Sequence, residues 1–221
     1  MDNTIHIPTK FKTHFNYAMA HNNLGNVFEK SQEHQKALSC YEVAIQIEPN
    51  YATAHYNLGI ALKELGELQK AISSYEKAIE IYPNYALAHN NLGLVYGELG
   101  ELQKEKSCYE KAIEIDPNYL GSYWNLHSHA LDIDEALNIL IKLNDIDNTF
   151  IKAKIMISAL KGFKGKFENF DTLNKSSESN DPMARSIMWV FSLPKIPKIF
   201  FNRWNFFDAV VALADKSRPF Y

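Results

Sequence analysis

Cysteine and long apolar runs are both scarce in this sequence. Only Cys40 and Cys108 occur among 221 residues, which excludes a disulfide-rich fold. No apolar stretch approaches the roughly 20 residues that a membrane-spanning helix requires. The first residues, Met1–Pro8, contain Asp2 and no apolar run, so we expect no signal peptide. These absences predict a cytoplasmic protein that does not contact a membrane.

The motifs that bind nucleotides, metal ions or acyl substrates are also absent. The sequence contains no G-x-G-x-x-G, no Walker loop, no H-E-x-x-H, no C-x-x-C pair and no G-x-S-x-G. We therefore predict no catalytic residue, no metal site and no cofactor. The chain as given is interpreted as a non-enzyme.

Positive charge is sparse in the first half of the chain. Residues 18–118 carry 8 Lys and Arg against 14 Asp and Glu, a net charge of −6. Residues 185–218 carry 6 against 2, a net charge of +4. Nucleic-acid binding requires clustered Lys and Arg to neutralise phosphates. The acidic first half therefore predicts no nucleic-acid partner.

What the sequence does contain is a period of 34 residues. Four asparagines recur at this lag, each followed by leucine, and three of the four read Asn-Leu-Gly. Tyrosine, alanine and proline recur at the same lag. The members of these series are Asn23, Asn57, Asn91 and Asn125; Tyr41, Tyr75 and Tyr109; Ala44, Ala78 and Ala112; and Pro49, Pro83 and Pro117.

This pattern resembles the tetratricopeptide repeat, a helix-turn-helix unit of 34 residues. The resemblance covers residues 18–119 and implies an all-α, right-handed superhelical solenoid stabilised by stacking of its units. Gly66 and Gly100 stand where a helix C-terminus favours a left-handed residue. The asparagine after each proline is a good N-cap for the next helix. Cys40 and Cys108 lie two repeats apart, at roughly 10 Å per repeat, and should remain unpaired.

Departures from the repeat suggest how the chain is divided. His127 replaces the glycine of the fourth unit, and the turn that follows is about three residues short. We predict an N-terminal segment at 1–17, three regular repeats at 18–119, divergent helical hairpins at 120–181 and a helical segment at 182–221. The last segment can be the start of a truncated domain.

The asparagine row is the best candidate for a binding surface. By resemblance, this point of the first helix lines the concave groove, where an amide can donate to and accept from a peptide backbone. The recurring Asn-Leu-Gly motif also resembles the asparagine ladder in the repeat array of O-linked N-acetylglucosamine transferase. The resemblance implies a protein or extended peptide as partner. The groove residues so predicted are Asn22, Asn23, Asn26, Tyr56, Asn57, Asn90, Asn91, Trp124 and Asn125.

Two other interpretations of these positions are less favoured. His21, His55 and His89 form a row, but repeats about 10 Å apart do not bring them to one metal ion. Chaperone-binding tetratricopeptide domains hold a peptide carboxylate with a clamp, and Asn26 and Asn57 match two of its asparagines. The clamp's basic positions read Asn22, Leu87 and Asn91, so an acidic peptide C-terminus is a poor ligand.

The end of the chain leaves a second function open. Residues 203–221 resemble the lead-in to methyltransferases of the macrocin O-methyltransferase type, which use S-adenosylmethionine. The resemblance implies a substrate-recruiting arm whose catalytic domain follows Tyr221, and none of the cofactor-binding residues lies in this sequence. A capping helix is the alternative for the same residues. Self-association through the ends of the near-identical repeats is a further possibility.

Overall fold

The computed structural model describes residues 9–130 and 133–163, and every regular element within them is helical. The order of elements confirms the predicted all-α fold of consecutive helical hairpins. The helices are α1 Thr9–Lys30, α2 His34–Ile47, α3 Ala52–Glu64, α4 Leu68–Ile81, α5 Ala86–Glu98, α6 Leu102–Ile115, α7 Leu120–Leu126, α8 Ile133–Ile146 and α9 Ile151–Phe163, with a 3-10 helix at His127–His129.

The contacts divide the chain into two compact units, with the boundary between Tyr119 and Leu120. The first unit contains the hairpins α1/α2, α3/α4 and α5/α6, each packed on the next. Helix α1 begins at Thr9, so residues 9–17, assigned from the sequence to an N-terminal segment, belong to the first helix. Residues 164–221 lie outside the described part, and with them the predicted C-terminal helical segment.

Each hairpin of the first unit turns at one residue with a positive φ. Gly66 and Gly100 have φ of 76° and 74°, which confirms the expected left-handed conformation. After each turn a backbone N–H returns to the first helix, as from Glu67 to the carbonyl of Leu62 at 2.8 Å. In the first repeat the same position is Gln32, with φ of 59°. A side chain therefore occupies a conformation that favours glycine.

Gln32→Gly is expected to raise the free energy of unfolding by about 1 kcal/mol, because the left-handed conformation costs an L-residue about 1–2 kcal/mol. Gly66→Ala, at the equivalent turn, is expected to lower it by a similar amount. Urea unfolding followed by circular dichroism measures both. Nothing lies within 4 Å of a Cβ built on Gly66, so crowding does not contribute to its effect. A loss of stability in Gln32→Gly contradicts the prediction.

The repeated glycine and the repeated tyrosine pack against each other. A Cβ built on Gly59 lies 2.6 Å from Cε1 of Tyr75, and one on Gly93 lies 2.7 Å from Cε1 of Tyr109. The tyrosine side chains are fully buried, as are the repeated alanines Ala44, Ala78 and Ala112. Glycine is thus required because the tyrosine ring occupies the space that a side chain needs.

The predicted asparagine N-caps are wrong. Helices α3 and α5 begin at Ala52 and Ala86, so the N-cap positions are Tyr51 and Tyr85, and neither makes a side-chain capping bond. The asparagine that follows each proline lies in the preceding turn. There, the backbone N–H of Asn50 donates to the Glu48 carboxylate at 3.3 Å. The backbone N–H of Asn118 donates in the same way to the Asp116 carboxylate, at 3.0 Å.

The second unit departs from the repeat in its first helix. Helix α7 is only seven residues long and continues into the 3-10 helix. His127, at the repeat's glycine position, is buried, and its ring lies 4.6 Å from that of Trp124. Helices α8 and α9 form a hairpin around buried Leu140, Leu143, Met156 and Leu160. Among residues 9–130 and 133–163, no helix is long and apolar enough to cross a membrane.

Candidate functional site

The first helices of the three repeats form a continuous surface in the first unit. Helix α1 contacts α3, and α3 contacts α5, in addition to the contacts within the hairpins. We call the side of these three helices that carries Asn23, Asn57 and Asn91 the first-helix face. Asn23 is exposed on this face, whereas Asn57 and Asn91 are half-buried. The row is therefore graded in accessibility along the array.

Asn57 is hydrogen-bonded to the preceding repeat. Its Nδ2 donates to Oδ1 of Asn22 at 2.8 Å and to Oδ1 of Asn26 at 3.1 Å. Oδ1 of Asn26 also accepts from the hydroxyl of Tyr41 at 2.9 Å. Both N–H groups of the Asn57 amide are thus engaged, and its Oδ1 is left to accept from a ligand. This amide holds two repeats together and offers only an acceptor outward.

Asn91 makes a related bond between the second and third repeats. Its Nδ2 donates to the hydroxyl of Tyr56 at 3.1 Å, and its Oδ1 accepts from Nδ2 of Asn90 at 3.2 Å. The Tyr56 ring lies between Tyr75 and Tyr85, at centroid distances of 5.9 and 4.9 Å. Burial raises the pKa of Tyr56 to about 12, so its hydroxyl stays protonated and can donate to a ligand.

Two predicted groove residues are not accessible to a ligand. Asn22 and Asn90 are both buried in the structure. Tyr56, at the equivalent position of the second repeat, is only half-buried, so the burial applies to the two asparagines and not to the whole position. Asn22 is the acceptor for Asn57, and Asn90 is a donor to Asn91. We therefore correct their role to positioning the accessible amides.

Two further predicted residues lie in the second unit and are described there. Trp124 is half-buried and packs its ring edge-on against Phe150 at 5.4 Å. Asn125 is also half-buried, and its backbone carbonyl accepts from the Ser128 hydroxyl at 2.9 Å. Their assignment to a common groove with Asn57 and Asn91 remains a prediction.

The first-helix face has little charge. Charged residues stand only toward the ends of the three helices, and the asparagines lie between them. The charged residues are Lys10, Lys12, Glu29 and Lys30 on α1, Lys63 and Glu64 on α3, and Glu98 on α5. Lys63 lies 3.0 Å from Glu64 and 3.5 Å from Glu98, so these charges pair with one another. The acidic excess of the array is therefore carried mainly by the second helices and the turns.

Residues that sequence analysis did not nominate also line this face. Leu87 is exposed one turn before Asn91, and Met19 and Thr53 are exposed at the equivalent positions of α1 and α3. Leu87 entered the sequence analysis only as a position where the carboxylate clamp has a basic residue. A search of the sequence for apolar residues one helical turn before each asparagine of the row would have identified Met19 and Leu87.

Two histidines of the row, His55 and His89, have a structural role in their repeats. Nε2 of His55 lies 3.0 Å from the carbonyl oxygen of Pro49, and Nε2 of His89 lies 3.3 Å from that of Pro83. Each of these two histidines therefore connects the first turn of its helix to the loop before it, whereas the His21 ring contacts that of Tyr17 at 5.9 Å. In the described ranges, no three His, Cys, Asp or Glu side chains are grouped so as to hold a metal ion.

The two thiols are unpaired, as the repeat spacing predicts. Burial raises the pKa of the Cys108 thiol to about 11 and also raises that of Cys40. Both groups are therefore protonated at neutral pH. A protonated thiol is a poor nucleophile, so neither cysteine is set up for covalent chemistry.

Comparison with known families locates the repeats. A family model described as TPR repeat matches residues 30–66 and 61–100, and one described as Tetratricopeptide repeat matches residues 86–119. No curated protein sequence matches the chain.

Solved structures with the same fold cover most of the chain. YrrB, described as a TPR protein with an unusual peptide-binding site, is 20% identical with a TM-score of 0.61, covering 80% of this chain and 92% of YrrB. Two structures of MamA are each 17% identical with a TM-score of 0.60, covering 80% of this chain. One is described as the MamA RS-1 ArsTM double mutant, and the match covers 97% of its chain. The other is MamA 41-end from Desulfovibrio magneticus RS-1, and the match covers 98% of its chain. At these identities the likeness establishes the fold.

Proposed function

Because residues 30–119 carry tetratricopeptide repeats, we propose that this chain is a non-catalytic scaffold whose first-helix face binds an extended, uncharged segment of a protein. The observation that carries the proposal is hydrogen-bonding capacity on a face of little charge. Asn57 keeps a free acceptor and Tyr56 a hydroxyl proton, beside the exposed amide of Asn23. A peptide backbone supplies the complementary N–H and C=O groups.

The magnitudes call for apolar contacts as well. Each hydrogen bond contributes a net ~0.5–1.5 kcal/mol, and association itself costs several kcal/mol. Three such bonds do not give a stable complex. Met19 and Leu87 supply exposed apolar surface beside the asparagine row, and they are the residues that select the ligand's side chains. That YrrB is described as having a peptide-binding site agrees with this use of the fold.

Mutation of the asparagines alone is a poor test, because Asn57 and Asn91 also join the repeats. A sharper test selects peptides from a random displayed library on the intact chain and measures their affinity by fluorescence anisotropy. Leu87→Glu is expected to weaken the selected peptides at least tenfold, since it buries a charge against the ligand. Leu102→Glu, an equally exposed leucine on α6, is the matched control and is expected to bind as the wild type.

The same titrations distinguish the class of ligand. Selected peptides should be poor in Asp, Glu, Lys and Arg, and their Kd should change little with salt, because exposed charge pairs are the salt-sensitive contacts. Enrichment of acidic C-terminal peptides contradicts the proposal, as does equal binding by Leu87→Glu and the wild type. Circular dichroism of both variants controls for folding.

The alternative function, a recruiting arm for a methyltransferase, rests on residues 203–221, which lie outside the described residues. The gene sequence after Tyr221 tests it: an acidic residue and a glycine-rich turn are expected there. The likeness of the Asn-Leu-Gly phrase to O-linked N-acetylglucosamine transferase also stays a prediction. The cytoplasmic location expected from the sequence likewise stays a prediction.

A further inference from the structure

One side of α1 exposes apolar residues that the other repeats bury. We call Thr13, Tyr17, Ala20, Leu24 and Val27 the outer face of α1; they recur every three to four residues and so share one side of the helix. Tyr17 is 66% exposed, Leu24 45% and Val27 58%. Leu24 and Val27 are exposed in the middle of this side, whereas Thr13 and Tyr17 lie where it meets Ile47 at the end of α2. The exposed apolar surface is therefore continuous over about three turns.

The internal repeats show what this face is built to contact. The positions 68 residues later, on α5, are Leu92 and Val95, which are 6% and 0% exposed because α5 packs on α4. On α3 the equivalent residues are Leu58 and Ala61, which pack with the buried core that includes Leu38 of α2. The outer face of α1 thus has the chemistry of an interface between repeats, but no described repeat precedes it to cover it.

The residues of this face are complementary to themselves when two copies of α1 run antiparallel. Pairing centred on residue 22 sets Tyr17 against Val27 and Ala20 against Leu24. In each pair a larger side chain then meets a smaller one. A depression of about 260 Å³ lined by Thr13, His14, Tyr17 and Ile47 lies at the end where the partner's Val27 would arrive.

We propose that the outer face of α1 pairs with the same face of a second copy of this chain, giving a two-fold symmetric dimer. The symmetric arrangement follows from the complementarity, since one patch serves both subunits. The proposal goes beyond the peptide site, because it uses a different side of α1 from the first-helix face. It also specifies which end of the array self-associates.

The mass of the intact chain, measured by light scattering during size-exclusion chromatography over a concentration series, tests the proposal. The wild type is expected to shift from monomer to dimer as the concentration rises. Leu24→Glu is expected to stay monomeric, because pairing would bury a charge near the symmetry axis. Leu102→Glu, an exposed leucine on α6, is expected to dimerise as the wild type. A wild type that stays monomeric, or a dimer that survives Leu24→Glu, overturns the proposal.

A charge exchange tests the antiparallel register. Tyr17→Lys and Val27→Glu are each expected to be monomeric alone, and an equimolar mixture of the two is expected to form the heterodimer through an ion pair between the introduced ammonium and carboxylate groups. A mixture that remains monomeric contradicts the register. Leu24→Glu should still bind the peptides selected on the first-helix face, so failure of the dimer and failure of the peptide site are separate results.

Discussion

Gly59→Ala is expected to lower the free energy of unfolding by about 1–3 kcal/mol, the usual cost of overpacking a core. The direction is opposite to helix propensity, which favours alanine over glycine by about 1 kcal/mol inside a helix. The reason is the ring of Tyr75, whose Cε1 lies 2.6 Å from the position of the new Cβ. The ring is fully buried, so it cannot move aside without opening the core. Urea unfolding with a two-state fit measures the change.

Two variants separate crowding from other causes. In a Tyr75→Leu background the ring is absent, and Gly59→Ala is expected to be neutral or stabilising, which makes the two changes strongly coupled. Gly97→Ala on α5 is the comparison, because its new Cβ meets the Glu105 carboxylate rather than a ring, and the cost there is loss of the bond from the Tyr109 hydroxyl. Equal losses from Gly59→Ala in the wild type and in the Tyr75→Leu background are incompatible with this explanation.

Tyr75→Phe is expected to raise the free energy of unfolding by about 1 kcal/mol, whereas Tyr41→Phe is expected to lower it by about 1 kcal/mol. Among the described residues the buried Tyr75 hydroxyl makes no well-formed hydrogen bond, because the Asn91 amide near it donates to Tyr56 at 3.1 Å. The Tyr41 hydroxyl, in contrast, donates to Asn26 at 2.9 Å. The difference comes from the neighbours. Ile60 stands in the second repeat where Asn26 stands in the first.

A partner supplied at residue 60 provides the control. In an Ile60→Asn background the Tyr75 hydroxyl gains the acceptor that Asn26 gives Tyr41, and Tyr75→Phe is then expected to become destabilising. Urea unfolding of the four chains completes the thermodynamic cycle. The same sign for Tyr41→Phe and Tyr75→Phe in the wild type would falsify the hydrogen-bond account.

In the third repeat, the buried tyrosine hydroxyl has a different hydrogen-bond acceptor. The hydroxyl of Tyr109 donates to the Glu105 carboxylate at 3.0 Å. The first and second repeats have alanine, Ala37 and Ala71, at the position of Glu105. Gly97 leaves room for that carboxylate, since a Cβ there would lie 2.6 Å from Glu105 Oε1. The departure of Glu105 from the repeat, visible in the sequence, thus has a structural cause that only the contacts reveal.

The asparagine row illustrates how far sequence analysis of a binding site extends. Its period correctly placed Asn23, Asn57 and Asn91 at equivalent points of three first helices. It did not reveal that Asn57 bonds to Asn22 and Asn26, because those bonds join residues 35 and 31 positions apart in different repeats. Buried Asn22 and Asn90 were therefore counted as ligand contacts. The row holds the repeats together and, through its remaining hydrogen-bonding groups, is the proposed binding surface.

Local chemistry determined the architecture of this protein. The 34-residue period, the left-handed glycines at Gly66 and Gly100 and the unpaired thiols all follow from the sequence, since each depends on backbone conformation or on spacing along the chain. Only the tertiary structure decided which hydrogen-bond partners the side chains at equivalent repeat positions have. Tyr41, Tyr75 and Tyr109 share one position, yet the hydroxyls of Tyr41 and Tyr109 bond to an amide and a carboxylate. Among the described residues that of Tyr75 makes no well-formed hydrogen bond. Hydrogen bonding depends on neighbours that stacking brings together, and the neighbours differ even where the repeat does not.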